Sequence, residues 1–181
     1  VGIVEILAIR EAKKITTTLN IRVIGCVTDP EKIDNTNHTV RFINTQNVTL
    51  EGVGDDAVIH GWIITLKRTQ NFEIRNLAFM YGGEGADASA IVLDTDNKNV
   101  WMHNCDFFYG APGKDADQVK GDGAIDFKSK SDYISISYNH YWDMGKTCVS
   151  GGPWEVSNVD DERAKVNATY HHNWFDHSDS R

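Results

Sequence analysis

The amino-acid sequence predicts an all-β solenoid, because two features recur along its 181 residues. Short runs of β-branched and aromatic residues alternate with polar or glycine-bearing turns, which is the pattern of short strands. Residues 46–52 also resemble residues 70–76, and the two segments lie 24 residues apart. An internal repeat with a period of about 20–50 residues indicates a solenoid or a propeller.

The predicted elements follow in chain order from these runs. Residues 11–14 carry a helical signal that predicts one or two helical turns near the N-terminus. Strands are expected at residues 39–43, 48–50, 62–66, 72–74, 90–93 and 133–137. The repeated segment returns at residues 98–104 and, more weakly, at residues 133–139 and 166–173.

The type of solenoid follows from what the repeats contain. They carry neither the Trp-Asp signature of WD40 blades nor the spaced leucines of leucine-rich repeats. Short strands with one polar turn and variable insertions favour a parallel β-helix. Insertions at residues 109–121 and 151–163 are then predicted to be loops on one side, where binding sites usually lie.

Composition narrows the classes of partner and the compartment. The net charge of −8 and the isoelectric point of about 5.3 argue against a nucleic-acid partner and, taken alone, against a polyanionic substrate. No apolar run approaches the roughly 20 residues of a membrane span. No leader precedes Val1, so we expect any signal peptide to have been removed or never present. The three cysteines, Cys26, Cys105 and Cys148, form no Cys-x-x-Cys pair and are predicted to be small buried side chains.

Two other groups of side chains could indicate binding sites. Adjacent residues of a strand point to opposite faces, so His171 and His172 are not expected to share a metal ion. Six aromatic residues are predicted to be stacked core or rim residues in preference to sugar platforms: Trp101, Phe107, Phe108, Tyr141, Trp142 and Phe175.

Five motifs carry a resemblance to a known family. They are Val100-Trp101-Met102-His103-Asn104, Gly121-Asp122-Gly123-Ala124-Ile125-Asp126-Phe127-Lys128, Ile134-Ser135-Ile136-Ser137-Tyr138-Asn139, Gly145-Lys146-Thr147 and Thr169-Tyr170-His171-His172-Asn173. Their order and spacing resemble those of polysaccharide lyase family one, which contains the pectate and pectin lyases. The resemblance covers about residues 40–181 and implies a right-handed parallel β-helix. Because relatives continue past the position of Arg181, it also implies that residues 1–181 are part of a longer single domain, incomplete at its C-terminus.

The resemblance also implies the residues of a site. The calcium ligands of the family fall on Asp87, Asp122 and Asp126, and a fourth family carboxylate falls on Ser89. The lysine that contacts the substrate carboxylate falls on Lys146, and a further substrate-binding lysine on Lys128. The catalytic arginine falls on Arg181. The implied activity is calcium-dependent β-elimination of de-esterified pectin, with secretion to the cell exterior as a monomer.

Physical chemistry agrees with parts of this assignment. Calcium takes 6–8 oxygen ligands, so three aspartates leave positions for substrate carboxylates and water. On a straight strand Asp122 and Asp126 would lie about 13 Å apart, but Gly121 and Gly123 permit a bend. A bound divalent cation would also turn an acidic site into a receptor for a polyanion.

Three alternative functions remain open on the sequence. A pectin lyase would act on methyl-esterified polymer without calcium, and the three aspartates argue against it. A polygalacturonase-type hydrolase on a similar β-helix would use a pair of carboxylates, which Asp122 and Asp126 could mimic. A non-catalytic pectin-binding β-helix is compatible with Ser89 in place of the fourth carboxylate.

Overall fold

One helix and fifteen strands follow one another in the computed structural model, which describes residues 2–28, 39–80, 89–108, 123–150 and 166–177. Helix α1 spans Ile3–Ala12. The strands in chain order are β1 (Leu19–Thr28), β2 (Thr39–Ile43), β3 (Gln46–His60), β4 (Ile63–Lys67), β5 (Gln70–Arg75), β6 (Ala78–Met80), β7 (Ser89–Thr95), β8 (Lys98–His103), β9 (Asp106–Phe108), β10 (Gly123–Ser129), β11 (Ser131–Ser137), β12 (His140–Trp142), β13 (Cys148–Ser150), β14 (Val166–His171) and β15 (Trp174–Asp176).

The strands form two parallel sheets. The smaller sheet has the order β13-β10-β7-β4-β2, and the larger has the order β14-β11-β8-β5-β3-β6-β9-β12-β15, with β1 paired to β3. Each later turn of the chain contributes one strand to the smaller sheet and two to the larger, as β7, β8 and β9 do. Because parallel crossovers are almost always right-handed, the chain winds as the right-handed parallel β-helix that the sequence predicted.

The internal repeat of the sequence corresponds to the strand register of the β-helix. Gln46 pairs with Gln70, which pairs with Lys98, so the 24-residue repeat places equivalent residues beside each other. The weaker repeats continue the column, because Ile134 pairs with Val100 and with Ala168. The predicted repeat is therefore confirmed as successive rungs of one solenoid.

The N-terminal helix lies earlier than predicted and is longer. It covers Ile3–Ala12, whereas the expected turns were at residues 11–14. Leu7 of this helix is buried, and the buried Arg10 donates a hydrogen bond to the Gln46 carbonyl at 3.3 Å. These contacts with the first rung determine where the helix lies. They join residues far apart in sequence, so the local run of charged helix-forming residues at 11–14 does not reveal them. The helix ends at Ala12, and Lys14, two residues further on, has a left-handed φ of +51°.

The core consists of aligned side chains from successive rungs. Phe79, Phe107, Tyr141 and Phe175 stack face to face, with centroid separations of 5.1, 5.1 and 4.8 Å. This confirms the prediction of stacked core aromatics for Phe107 and Tyr141, whereas Phe175 continues the stack but is 49% exposed. Of the other three, Trp101 and Trp142 are about half exposed and Phe108 is partly buried, so they are rim residues.

Buried asparagines join the rungs at the corners. The amide of Asn139 accepts a hydrogen bond from the Cys105 backbone N–H at 3.0 Å and donates one to the Met102 carbonyl at 3.1 Å. Asn97 does the same one rung earlier, between Thr69 and Leu66. A single side chain thus satisfies backbone groups that the change of strand direction would otherwise leave unpaired.

The cysteines only partly follow the prediction. Cys105 is 2% exposed and Cys148 is partly buried, but Cys26 is exposed near the end of β1. Burial raises the pKa of the Cys105 thiol from 9.0 to about 12 and that of Cys148 to about 11. Both thiols therefore stay protonated in the folded protein at neutral pH.

Stability should fall in alkali because of these two thiols. The unfolded thiols ionise near pH 9, whereas the folded ones do so only near pH 11 and 12. The folded state then holds more protons, and each thiol should cost about 1.4 kcal/mol of unfolding free energy per pH unit above pH 9. Urea denaturation between pH 8 and 11 should show that the unfolding free energy of the double variant Cys105→Ala, Cys148→Ala declines less steeply with pH than that of the parent protein. The control variant Cys26→Ala should decline as steeply as the parent. Equal slopes in all three proteins would contradict this account.

Gly52 should tolerate no side chain. A Cβ atom at Gly52 would lie 1.9 Å from the Asn76 carbonyl oxygen and 2.6 Å from the Ala57 Cβ. We expect Gly52→Ala to destabilise the fold by about 1–3 kcal/mol or more, since backbone must move. Gly25→Asn is the matched control, because asparagine tolerates its φ of +66° and the nearest atom is 3.9 Å away. A denaturant midpoint for Gly52→Ala equal to that of the control would show that the strand relaxes freely.

Candidate functional site

The outer side of the smaller sheet holds two of the predicted residues, Asp126 and Lys128, on β10. Along β10, Ile125 and Phe127 are fully buried inside the helix, so the alternate residues Asp126 and Lys128 lie on the outside. Asp126 is nonetheless only 6% exposed. A carboxylate that is shielded from water needs a positive partner or a metal ion, so its place on an outer surface points to a binding function.

Lys128 lies beside this carboxylate. Its Nζ is 3.7 Å from the Asp126 Oδ2, and its side chain is 39% exposed, against 9% for the aspartate. The lysine thus partly offsets the buried negative charge while its ammonium stays in reach of solvent. A cation so placed could contact an anionic ligand that approaches Asp126.

Lys146 lies on the next rung. The Thr147 carbonyl accepts hydrogen bonds from the backbone N–H groups of Ala124 and Ile125, at 3.0 and 3.3 Å. Because Cys148 is in register with Ile125, Lys146 runs alongside the start of β10. It is 5% exposed. The register places the Lys146 backbone about 10 Å from that of Asp126 along the strand direction.

Ser89 differs from these residues in its orientation. It is the first residue of β7, in register with Gly123, and it shares a strand face with the core residues Ile91 and Leu93. Its Oγ is shielded from solvent and has no hydrogen-bond partner in the described part of the chain. Strand alternation therefore turns it away from the side on which Asp126 lies.

The other predicted site residues lie outside the described residues: Asp87, Asp122 and Arg181. The predicted bend between Asp122 and Asp126 remains a prediction, since Asp122 lies outside the described residues. Within the described ranges, no three His, Cys, Asp or Glu side chains are grouped closely enough to hold a metal ion. The described structure thus brings Asp126, Lys128 and Lys146 to two neighbouring rungs of one sheet.

The sequence reasoning missed a second charged pair on the same face. Lys67 of β4 and Asp94 of β7 form an ion pair with Nζ and Oδ2 2.7 Å apart. Because Phe127 is in register with Leu93, Asp94 lies beside Lys128. The alternation of buried and outward residues along each strand could have predicted this pair. Lys67 and Asp94 each follow a buried leucine, just as Lys128 follows the buried Phe127.

The expectation that His171 and His172 point to opposite faces is wrong. His172 has a left-handed φ of +55°, which breaks the strand alternation after His171. The two rings therefore converge, with their Nδ1 atoms 2.9 Å apart, and Tyr138 stacks on the His172 ring at a centroid distance of 4.8 Å. The pair forms a hydrogen bond, and no third ligand side chain joins it among the described residues.

Comparisons with known proteins agree with this fold. The family model described as pectate lyase matches residues 7–181, so the parallel β-helix is that of a polysaccharide lyase family. The chain belongs to the pectate lyase family. In the described residues, no helix is long and apolar enough to cross a membrane.

Individual relatives are similar over most of the chain. A pectate trisaccharide-lyase of Bacillus licheniformis is 29% identical over 182 residues, which cover 98% of this chain and 48% of that protein. Pectate lyase 3 of Pectobacterium carotovorum is 35% identical over 76% of this chain and 35% of that protein. The crystal structure of a pectate lyase from Bacillus sp. N165 in complex with trigalacturonate superposes with a TM-score of 0.73 at 27% identity, covering 89% of this chain and 49% of that one. The chain thus spans about half the length, or less, of the relatives it matches.

Proposed function

We propose that the protein is a pectate lyase that cleaves (1→4)-α-D-galacturonan by calcium-assisted β-elimination and releases unsaturated oligogalacturonides. The observation that carries this proposal is the shielded carboxylate of Asp126 on an outer face, with Lys128 at 3.7 Å and Lys146 on the adjacent rung. The family membership supports the same reaction. A similar protein of known structure was solved with trigalacturonate, a short form of this substrate.

The proposed reaction needs a neutralised carboxylate more than it needs a strong base. It breaks the C5–H and C4–O bonds of one galacturonate unit: the electron pair of the C–H bond forms a C4–C5 double bond, and the leaving oxygen keeps the C4–O pair and takes up a proton from water. The C5 proton is acidic only if the adjacent carboxylate loses its charge. Lys146 would hold that carboxylate, and Arg181 would take the proton. Burial of the Lys146 ammonium strengthens its attraction for an anion, since less water competes.

Calcium fits the residues that are present. It binds hard oxygen donors, and Asp126 supplies a carboxylate that is already withdrawn from water. Asp126, with Asp87 and Asp122, would hold the ion, which when bound supplies positive charge for the substrate carboxylates. Lys128, beside Asp126, would bind a neighbouring galacturonate. This arrangement also answers the objection from the net charge of −8, because local cations meet the polyanion.

The substrate also indicates where the protein works. Polygalacturonate is a polymer too large to enter a cell, so we infer that the protein is secreted and acts outside the cell. It would act as a monomer on the polysaccharide alone, since each proposed site residue comes from one chain.

The metal assignment can be tested on the full-length protein. Calorimetric titration should show that Asp126→Ala abolishes calcium binding, and a polygalacturonate assay should show loss of the UV-absorbing unsaturated product with this variant or with chelator. Asp94→Asn is the matched control, since Asp94 lies on the same face, is more exposed and is paired with Lys67. Unchanged calcium affinity in Asp126→Ala would contradict the assignment. Cleavage without an unsaturated product would indicate a hydrolase.

Lys146 and Arg181 should differ in how much activity survives a substitution that keeps the positive charge. Lys146→Arg keeps the positive charge, so we expect part of the activity to survive. Arg181→Lys should lose far more, because a flexible ammonium cannot hold the planar geometry proposed at C5. Turnover of polygalacturonate by the full-length variants measures both effects, and calcium titration should give the parent affinity for each. Near-parent turnover of Arg181→Lys with an inactive Lys146→Arg would mean that the two roles are exchanged.

A further inference from the structure

A recess opens on the outer face of the larger sheet, away from the residues assigned to galacturonan. The inward residues of β6, β9 and β12 form the aromatic stack of the core, so the alternate residues face outward. One outward column runs through Ala78, Asp106 and His140. The small side chain of Ala78 leaves a cavity of about 210 Å³, which is lined by Ala78, Asp106, Phe107, Phe108, His140 and Trp142.

Aromatic rings form the apolar walls of this recess. Phe108 and Trp142 lie side by side on neighbouring rungs, with centroids 6.2 Å apart and planes inclined by 43°. Trp142 is 46% exposed. One rung further, Trp174 stacks on the His140 ring at 4.4 Å and 14°, and is 63% exposed. Large aromatic faces held open to solvent on successive rungs are typical of a binding surface.

A polar pair lies at the edge of the same recess. The His140 Nδ1 is 3.4 Å from one carboxylate oxygen of Asp106, whose side chain is 61% exposed. The carboxylate therefore lies beside the imidazole, and its second oxygen can accept hydrogen bonds from a ligand. An apolar ring face beside a fixed hydroxyl acceptor is what a pyranose requires, since its C–H face is apolar and its edge carries hydroxyl groups.

Size and charge restrict the ligand further. The cavity is smaller than the roughly 300–1,000 Å³ clefts that hold drug-sized molecules, so it suits a single sugar ring. None of its six lining residues is a lysine or an arginine, and Asp106 contributes a negative charge. Asp176, beside Trp142 in the register, adds another. A galacturonate carboxylate would be repelled here, whereas a sugar without charge would not.

We propose that this recess binds one ring of a neutral, pyranose-containing polysaccharide, with Trp142 and Phe108 as the stacking wall and Asp106 as the hydroxyl acceptor. Trp174 would carry the next ring of the chain. The site is separate from Asp126, Lys128 and Lys146, which lie on the smaller sheet. It would hold the protein on uncharged polymers that accompany its acidic substrate.

Binding of neutral and acidic oligosaccharides tests this proposal. We expect calorimetry to show binding of cellohexaose or of β-(1→4)-galactohexaose. Trp142→Ala should weaken that binding at least tenfold, and Trp142→Phe should keep most of it. Ala78→Leu, which fills the recess from an outward position, should also abolish it. Trp101→Ala is the matched control, because Trp101 is 45% exposed on β8, on another part of the larger sheet, and should leave the affinity unchanged.

The outcomes separate this proposal from the one on galacturonan. Trp142→Ala should leave cleavage of polygalacturonate unchanged, and the neutral sugar should bind even if no cleavage is found. Absence of binding for both neutral hexaoses would overturn the proposal, as would equal weakening by Trp101→Ala. Displacement of the neutral sugar by trigalacturonate would instead make the recess part of the acidic-substrate site. Concentration-dependent dimerisation that Trp142→Ala removes, measured by sedimentation, would mean that a second copy occupies the recess.

Discussion

In-register pairing of parallel strands is the constraint on which the rest of this structure depends. Every strand must give its backbone N–H and C=O groups to the rung above and the rung below. Parallel register then places equivalent residues of successive rungs in columns, about 4.8 Å apart. The stack of Phe79, Phe107, Tyr141 and Phe175 is one such column. The buried amides of Asn97 and Asn139 serve the corners, where the ladders are interrupted.

The same constraint builds the outer surfaces. A side chain on an outer column meets the side chains of the rungs on either side, so charges and rings that are far apart in sequence become neighbours. Asp94 meets Lys67 in this way, and Phe108 meets Trp142. One sheet thereby acquires the buried carboxylate and the lysines that suit an acidic polymer. Part of the larger sheet acquires exposed aromatic rings and carboxylates, which suit an uncharged polymer.

Much of the fold could be read from the sequence, because strand alternation and the repeat are local patterns. The columns that contain Gln46, Gln70 and Lys98 were visible as similar segments. The motif around Asp126 identified the rung to which the proposed site is assigned. The N-terminal helix was misplaced, since its position depends on contacts of Leu7 and Arg10 with the first rung. The convergence of His171 and His172 was missed because a single left-handed residue reverses the alternation.

The sequence by itself determined which residues form strands, which rungs repeat and which side chains could hold calcium or an acidic sugar. The strands and the repeat follow from hydrophobic period and turn residues, which act over a few residues, whereas the binding side chains follow from the resemblance of the motifs to a known family. Only the tertiary structure decided that Asp126 is shielded while Lys128 remains accessible, and that Tyr141 is core while its neighbour Trp142 forms the wall of a recess. The burial of a side chain depends on its neighbours from other rungs, and these neighbours are determined by how the whole chain winds.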